Sequence, residues 1–269
     1  MGAKPRALVL TGYGINCDRE TRFAFELAGA LAERVHVNDL IADKTRLEGY
    51  QILAFPGGFS FGDDIGSGKV LANKVQTHLG DQVAGFIDDE KLVIGICNGF
   101  QVLAKYGLVP RLDAPKIRQS ITVTFNDSGR FEDRWVHVKN TSEKCVFTKG
   151  IGRLDLPVAH GEGKVVADEQ TIRRLEDEGC AVLRYVDEKG EPAGGRFALN
   201  PNGSTNDIAG ICDSTGRVFG LMPHPERYLY FTNHPHWTRM RDEIRRQGGR
   251  PPEAGAGREI FENAVAYFR

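Results

Sequence analysis

The chain has 269 residues, 41% of them apolar, which is enough for one large domain or two small ones with a sizeable core. Its 35 basic residues almost balance its 36 acidic ones, so no excess of charge favours nucleic acid or a membrane surface as a partner. No apolar run approaches the roughly 18 residues that a membrane span needs, and residues 1–6 lack the apolar stretch of a signal peptide.

The first half of the chain alternates between predicted strands and predicted helices. Short apolar runs predict strands at 7–11, 34–37, 51–55 and 91–96. Apolar residues at helical spacing predict helices at 18–33, 69–88 and 98–106. Strands that alternate with helices favour an α/β fold, in which helices cover both faces of a mostly parallel central sheet.

The second half changes character and predicts a small antiparallel element. Short strands are expected at 120–125, 134–139, 156–159 and 181–185, with polar turns between them. A hairpin is expected from 208–213 and 217–222. Helices are expected at 234–246, once past Pro235, and at 258–268, and the composition of 247–257 predicts a flexible linker.

Five scattered cysteines bear on the cellular compartment and on metal binding: Cys17, Cys97, Cys145, Cys180 and Cys212. Their number is odd, and no two of them have the C-x-x-C spacing of a zinc or redox motif. We therefore expect a reducing, cytoplasmic environment without a disulfide framework, and we expect no metal site.

One of these cysteines stands where a predicted strand meets a predicted helix. Cys97 follows strand 91–96 and precedes Asn98, with Gly95 and Gly99 two residues away on either side. This is the glycine pattern of a nucleophile elbow, with Cys in place of Ser. Small neighbours permit the sharp turn, and the helix N-terminus behind the side chain favours a thiolate. We therefore predict that Cys97 is a nucleophile rather than a structural cysteine of the core.

A cysteine nucleophile needs a base and a group that orients the base, and Met222–Arg227 offers both. His224 and Glu226 are separated by one residue, and prolines at 223 and 225 hold the backbone stiff. In an extended chain residues i and i+2 point the same way, so Glu226 can reach the His224 ring. The pattern predicts a triad of Cys97, His224 and Glu226, rather than a surface turn.

An oxyanion hole requires two backbone N–H groups near the nucleophile. The N–H of Asn98 is well placed by the elbow, and Gly58, in the turn after strand 51–55, can supply the second. Weaker motifs add little: His234 and His236 are typical of a loop, and Gly66–Lys69 does not match the spacing of a phosphate-binding loop. Residues 160–163 are either a substrate loop or a simple turn, and the two aromatics of 59–64 either cover a pocket or pack on a partner.

The motif G-I-C-N-G-F-Q, together with P-H-P-E-R, resembles the class I glutamine amidotransferases, whose triad is Cys-His-Glu. Three further segments narrow the resemblance to the glutaminase component of phosphoribosylformylglycinamidine synthase, an enzyme of purine biosynthesis. They are P-G-G-F-S-F-G-D-D, A-H-G-E-G-K and N-P-N-G-S. The resemblance spans about residues 7–227. It implies a flavodoxin-like fold and one glutamine amidotransferase domain over 1–269, with a C-terminal helical extension at about 228–269.

The resemblance also implies a specific chemistry. Cys97 would attack the side-chain amide of L-glutamine and form a glutamyl thioester, and His224 would protonate the departing ammonia and then activate water. Gly58 and Asn98 would form the oxyanion hole, while Gln101, Gly57 and His160 would bind substrate. The ammonia would pass to a large synthetase subunit, with a small bridging subunit as a further expected partner. ATP and Mg²⁺ are expected on the synthetase, with no cofactor in this chain.

Other functions remain open on sequence grounds. The chain could serve another synthetase as its glutaminase, or act as a γ-glutamyl hydrolase. A non-catalytic docking subunit is the alternative from a different class, but degenerate members of such families lose the nucleophile or its base. Here Cys97, His224 and Glu226 are all present.

Overall fold

The computed structural model describes residues 3–269, and a nine-stranded sheet runs through it. The strands are β1 (Arg6–Thr11), β2 (Leu31–His36), β3 (Ile52–Phe55), β4 (Leu92–Ile96), β5 (Thr122–Phe125), β6 (Glu132–Asn140), β7 (Arg153–His160), β8 (Glu162–Val166), β9 (Ala181–Val186), β10 (Ile208–Cys212) and β11 (Val218–Leu221). The helices are α1 (Asp18–Leu27), α2 (Val37–Ala42), α3 (Lys69–Asp88), α4 (Asn98–Tyr106), α5 (Glu169–Asp177), α6 (Trp237–Arg246) and α7 (Arg258–Ala266).

The strand order of the large sheet is β2-β1-β3-β4-β11-β10-β9-β6-β7, and β5 pairs with β8 in a separate small sheet. The first five strands in this order, from β2 to β11, are parallel to one another, and the remaining neighbours in the large sheet pair antiparallel. The central strands β3, β4, β10 and β11 are buried along their whole length, as strands covered on both faces are. The predicted α/β class with a small antiparallel element is confirmed.

Helices pack on both faces of this sheet. Gly220 of β11 faces α4, because the Cβ that it lacks would lie 2.2 Å from the Phe100 ring. The preceding residue, Phe219, points to the other face and stacks on Phe147, with ring centroids 5.7 Å apart. Phe147 adjoins α7, since the Asn263 side chain donates a hydrogen bond to its carbonyl oxygen. In residues 3–269 the helices are all too short or too polar to cross a membrane.

The helix predicted over 18–33 is too long. It ends at Leu27, and Gly29 then takes a left-handed φ of 97°, which ends a helix readily. Residues Leu31–His36 pair in parallel with β1 instead, so the strand predicted at 34–37 covers only half of β2. Because β2 is an edge strand with one fully buried residue, its apolar pattern is weak.

Three elements lie where the sequence predicted loops or nothing. Strand β8 begins within residues 160–163, for which the sequence left a substrate loop or a turn open, and its partner β5 lies far away in sequence, where local periodicity cannot reveal it. Helix α5 is capped by Asp168, whose side chain accepts a hydrogen bond from the Thr171 N–H. An Asp at this position is a helix-start signal, so α5 could have been predicted from the sequence. Helix α2 is only 6 residues long.

The C-terminal segment contains two unlike helices. No residue of α6 is buried, whereas Phe261 of α7 is fully buried and meets Phe25 of α1 edge to face, with ring centroids 5.0 Å apart. The segment 247–257, predicted to be a flexible linker, is held to the rest of the chain by backbone hydrogen bonds in its second half. The N–H groups of Gly255 and Gly257 donate to the carbonyl oxygens of Leu229 and Tyr228.

Replacing Gly220 by alanine tests the contact between β11 and α4. The added Cβ would lie 2.2 Å from Phe100, so Gly220→Ala should lower the free energy of unfolding by about 1–3 kcal/mol, as overpacked cores do. Urea unfolding followed by circular dichroism measures this. The matched control is Gly85→Ala, where no atom lies within 4 Å of the added Cβ on an exposed helix face. That variant should gain about 0.5–1 kcal/mol, and equal stability of the two variants would contradict the packing.

Candidate active site

Cys97 occupies the sharp turn between β4 and α4. Its backbone has φ 52° and ψ −106°, a conformation that a residue with a Cβ adopts only when its surroundings enforce it. The Cys97 N–H donates to the carbonyl oxygen of Leu221 at 2.8 Å, which ties the turn to β11. The side chain is 5% exposed, and its Sγ lies 3.6 Å from the carbonyl oxygen of Ala159.

The two glycines that frame Cys97 are both required by close backbone contacts. A Cβ at Gly99 would lie 1.8 Å from the carbonyl oxygen of Phe55, and a Cβ at Gly95 would lie 2.5 Å from that of Gly99. Real Cβ atoms do not approach that closely, so only glycine lets α4 start directly above the strands. The strand–turn–helix context that a nucleophile elbow demands is therefore present.

His224 and Glu226 form a buried pair beside the elbow. The His224 Nδ1 lies 2.6 Å from the Glu226 Oε1, and the two residues are 1% and 2% exposed. Residues Pro225–Arg227 form a short 3-10 turn, so the pair meets through a turn and not through the extended backbone that the prolines suggested. The His224 N–H donates to the carbonyl oxygen of Pro157 at 2.8 Å, which fixes the turn against β7.

The charge state of His224 is governed by its neighbours. Burial by itself would lower the pKa of His224, but the Glu226 carboxylate and Cys97 raise it well above its ordinary value. The Nε2 of the ring is buried and has no hydrogen-bond partner in residues 3–269. This nitrogen is therefore free to exchange a proton with a group in the cavity.

Two adjoining cavities of about 190 Å³ each open next to Cys97. Both are lined by Gly58, Phe59, Cys97, Phe131 and Ala159. The first cavity also contains His224 and Arg227, and the second contains Gln101, His160 and Glu162. A molecule in the second cavity would therefore lie next to Cys97 among Gln101, His160 and Glu162, whereas His224 and Arg227 border the first cavity.

The predicted oxyanion-hole groups come together at the elbow. Gly58 has φ 147°, and the Cβ that it lacks would lie 2.6 Å from the carbonyl oxygen of Gly14, so a side chain is excluded there. Asn98 is the first residue of α4. Within residues 3–269 the N–H groups of Gly58 and Asn98 donate to no other group of the chain. Two unpaired backbone donors therefore lie beside the nucleophile.

The Asn98 side chain links the elbow to the loop over the cavity, a role that the sequence did not predict. Its Oδ1 accepts from the Ser60 N–H at 3.2 Å, and its Nδ2 donates to Asp63 at 3.1 Å and to Gln101 at 2.9 Å. Burial raises the pKa of Asp63, whose carboxylate also accepts from the Gly68 N–H. The loop at 60–68 is thus hydrogen-bonded to the residue that follows the nucleophile.

The predicted substrate residues divide into two groups. Gln101 is 3% exposed, lines the second cavity and donates to the carbonyl oxygen of Glu162. His160 lines the same cavity, its Nδ1 contacts Asn126, and its buried Nε2 has no partner in the described chain. Burial, together with the charge of nearby His224, lowers the pKa of His160 to about 4. Gly57 lines neither cavity, and its missing Cβ would lie 2.8 Å from the His224 ring.

Two functional neighbours escaped the sequence analysis. Arg227 lines the first cavity, and its guanidinium lies 3.1 Å from the Sγ of Cys17. Burial would lower the pKa of Arg227, but Cys17 and Glu226 raise it. Arg227 belongs to the P-H-P-E-R motif, and Cys17 follows the carboxyl end of β1, so both carried a positional signal.

Exposed aromatic side chains surround the mouth of the cavities. Phe59 and Phe131 line both cavities, are 46% and 52% exposed, and have ring centroids 6.2 Å apart. Phe125, at the rim of the second cavity, is 69% exposed. Clustered exposed aromatics are typical of a surface that another molecule covers.

The chain is similar to known proteins along nearly its whole length. Residues 4–268 match the model of the CobB/CobQ-like glutamine amidotransferase domain. The chain is 48% identical to the phosphoribosylformylglycinamidine synthase subunit PurQ of Methanococcus maripaludis, over 98% of this chain and 97% of the relative. It is 47% identical to the PurQ subunit of Dehalococcoides mccartyi, over 99% of each chain. A chain in the solved structure of PurLQS from Thermotoga maritima superposes with a TM-score of 0.71 and 30% identity, over 99% of this chain and 100% of that one.

The pKa values of the two histidines of the site should be shifted in opposite directions. Nuclear magnetic resonance of ring-labelled histidine should find a pKa near 4 for His160 and a pKa for His224 that lies well above the ordinary value of a histidine. Because the unfolded chain protonates His160 at higher pH than the folded one, folding should lose about 3 kcal/mol as the pH falls from 6.5 to 4. The difference in stability between wild type and His160→Gln isolates this loss. A His160 resonance that shifts at neutral pH would contradict the buried, neutral ring.

Proposed function

Because the chain belongs to the CobB/CobQ-like glutamine amidotransferase family, and within it to the PurQ subunits of phosphoribosylformylglycinamidine synthase, we propose that it hydrolyses L-glutamine to supply ammonia for that synthesis. The observation that carries the mechanism is the buried pair of His224 and Glu226, 2.6 Å apart, beside the cysteine of the elbow. We assign Cys97 as the nucleophile, His224 as the base and Glu226 as the group that orients the base.

The first step is the transfer of the Cys97 thiol proton to the free Nε2 of His224. The raised pKa of His224 favours this transfer, and Glu226 stabilises the imidazolium that results. The thiolate then attacks the side-chain amide carbon of glutamine, and a C–S bond forms while the carbonyl π pair moves onto oxygen. The unpaired N–H groups of Gly58 and Asn98 hold that oxyanion.

Collapse of the tetrahedral intermediate releases ammonia. His224 returns its proton to the amide nitrogen, the C–N bond breaks, and a glutamyl thioester remains on Cys97. Water enters, loses a proton to His224 and attacks the thioester. The C–S bond then breaks, the thiolate is protonated and glutamate leaves. The balance is one glutamine and one water consumed for one glutamate and one ammonia.

The second cavity is the proposed place for the amino-acid end of glutamine. Gln101 and His160 line this cavity next to Cys97. The lowered pKa of His160 keeps its ring neutral there. We assign these two side chains to substrate binding. Gly57 instead makes room for the His224 ring, so its contribution to substrate binding is indirect.

The ammonia is used by a partner. The solved assembly from Thermotoga maritima is named PurLQS, and the relatives are named as subunits of the synthase. For this chain we propose a large synthetase subunit and a small bridging subunit as partners, and conversion of formylglycinamide ribonucleotide with ATP and Mg²⁺ on the synthetase. The exposed aromatic rings at the mouth of the cavities support the proposal that a partner protein contacts this surface. The place of this reaction is the cytoplasm.

Replacing the nucleophile should separate the two half-reactions. In the complex with its synthetase, Cys97→Ala should abolish product formation from glutamine and leave product formation from added ammonia intact. Cys145→Ala is the matched control, since it removes an equally buried thiol that lines neither cavity. Glutamine-dependent turnover of Cys97→Ala at the wild-type rate would disprove the assignment. Loss of the ammonia-dependent reaction as well would show that Cys97 does more than act as nucleophile.

Glu226→Gln tests the orienting group with almost no change in volume. The neutral amide cannot stabilise the His224 imidazolium, so glutamine-dependent kcat should fall on the order of 10³–10⁴-fold, as in related triads. Steady-state assays in the complex measure this, and ammonia-dependent synthesis serves as an internal control. Glu259→Gln makes the same chemical change on an exposed face of α7 and should be neutral. A Glu226→Gln enzyme within tenfold of wild type, roughly 1.4 kcal/mol, would remove Glu226 from the triad.

A further inference from the structure

Cys17 is a buried thiol in the site that the reaction above does not use. It lies between β1 and α1 and is 2% exposed. Its sulfur, one ring nitrogen of His224 and one carboxylate oxygen of Glu226 all lie within 4.8 Å of one another. These three side chains are buried, so the cluster is a closed group of possible ligands rather than a surface coincidence.

The donor set suits a borderline-soft divalent cation. Zn²⁺ takes thiolate, imidazole and carboxylate ligands in a tetrahedral arrangement. With Zn–S near 2.3 Å and Zn–N near 2.0 Å, tetrahedral donors lie about 3.5 Å apart. Donors already within 4.8 Å of one another reach that spacing by small side-chain movements. Mg²⁺ and Ca²⁺ prefer oxygen ligands, so a site with one sulfur and one nitrogen excludes them.

Gly57 leaves open the space that such a cation would need. The Cβ that this residue lacks would lie 2.8 Å from His224 Cε1, 3.3 Å from Cys17 Sγ and 3.4 Å from His224 Nδ1. The sulfur therefore faces the Cε1–Nδ1 edge of the ring across a gap without a side chain. The Glu226 Oε2 is buried and has no partner in residues 3–269, so its lone pairs can serve a cation.

The guanidinium of Arg227 is already in contact with Cys17, at 3.1 Å from Nη2 to Sγ. A metal ion would replace this contact. Because Arg227 also lines the first cavity, its guanidinium has room to move away.

We propose that Cys17, His224 and Glu226 bind Zn²⁺, and that the bound ion switches off the triad. Cys17 gives up its thiol proton to solvent, the imidazolium of His224 gives up its Nδ1 proton to solvent in the same way, and Nδ1 then coordinates the ion. A neutral imidazole that is metallated at Nδ1 carries its proton on Nε2, so it cannot accept the proton of Cys97. Glu226 leaves the ring for the ion. The binding stands independently, whereas the inhibition rests on the proposed role of His224.

The binding test uses the full-length Cys97→Ala chain, which lacks the competing thiol of the nucleophile. Titration with Co²⁺, a spectroscopic substitute for Zn²⁺, should give a sulfur-to-cobalt charge-transfer band that saturates at one ion per chain, and Zn²⁺ should abolish it. Adding Cys17→Ser should remove the band, while adding Cys145→Ala should leave it. Circular dichroism checks that each variant is folded. Absence of the band in Cys97→Ala, or a band that survives Cys17→Ser, overturns the site.

The inhibition test uses chains that keep Cys97, in the complex with the synthetase. Zn²⁺ should block glutamine-dependent synthesis, and Cys17→Ser should raise the required concentration roughly tenfold or more, since even groups that only support metal ligands change affinity about 10–100-fold. Ammonia-dependent synthesis corrects for zinc acting on the synthetase. Equal zinc sensitivity of Cys17→Ser and wild type overturns the switch. Full glutamine turnover by a chain shown to hold the ion instead overturns His224 as the base, and leaves the site standing.

Discussion

The close approach of α4 to the strands beneath it determines where the catalytic groups lie. Gly99 places the helix backbone against the carbonyl oxygen of Phe55, and Gly95 and Gly220 remove the side chains that would hold it away. With these three glycines the helix can begin directly after Cys97, whose N–H bonds to Leu221 and whose φ is positive. The elbow is therefore enforced by backbone contact, and the helix dipole and the Asn98 N–H come with it.

The remaining groups arrive on other strand ends at the same edge of the sheet. His224 follows β11, His160 ends β7, and Gly58 follows β3. His224 and Glu226 are tolerated in the interior because each compensates the other, and an isolated buried charge would be costly. His160, buried without a carboxylate partner, is instead held neutral. The pKa values of two buried histidines of one site are thus shifted in opposite directions, and this difference separates the proposed proton carrier from the proposed substrate contact.

Most of the candidate site could be proposed from the sequence because its signals are local. A glycine two residues either side of a cysteine, or a glutamate two residues after a histidine, is visible without knowing the fold. The pairing of β5 with β8 is not visible, because its energy comes from residues far apart in sequence. Cys17 carried a positional signal at the carboxyl end of β1, but its contacts with Arg227 and His224 span most of the chain and are not visible in the sequence. Helix α1 was drawn too long because apolar residues of an edge strand continued its pattern past Gly29.

Because Cys17 also lies near His224, the hydrogen bond between His224 and Glu226 bears on which thiol can exchange a proton with the ring. The imidazole has sulfur atoms from two different strand ends near it: Cys17 faces the Cε1–Nδ1 edge, and Cys97 lines the cavity with His224. A ring that exchanged protons with both thiols would not be committed to either. The contact of 2.6 Å to Glu226 occupies Nδ1 and leaves Nε2 as the nitrogen available for proton transfer. Arg227 holds the Cys17 sulfur at the same time. In the proposed mechanism the carboxylate therefore does more than stabilise charge, because it also determines which of the two thiols exchanges a proton with the histidine.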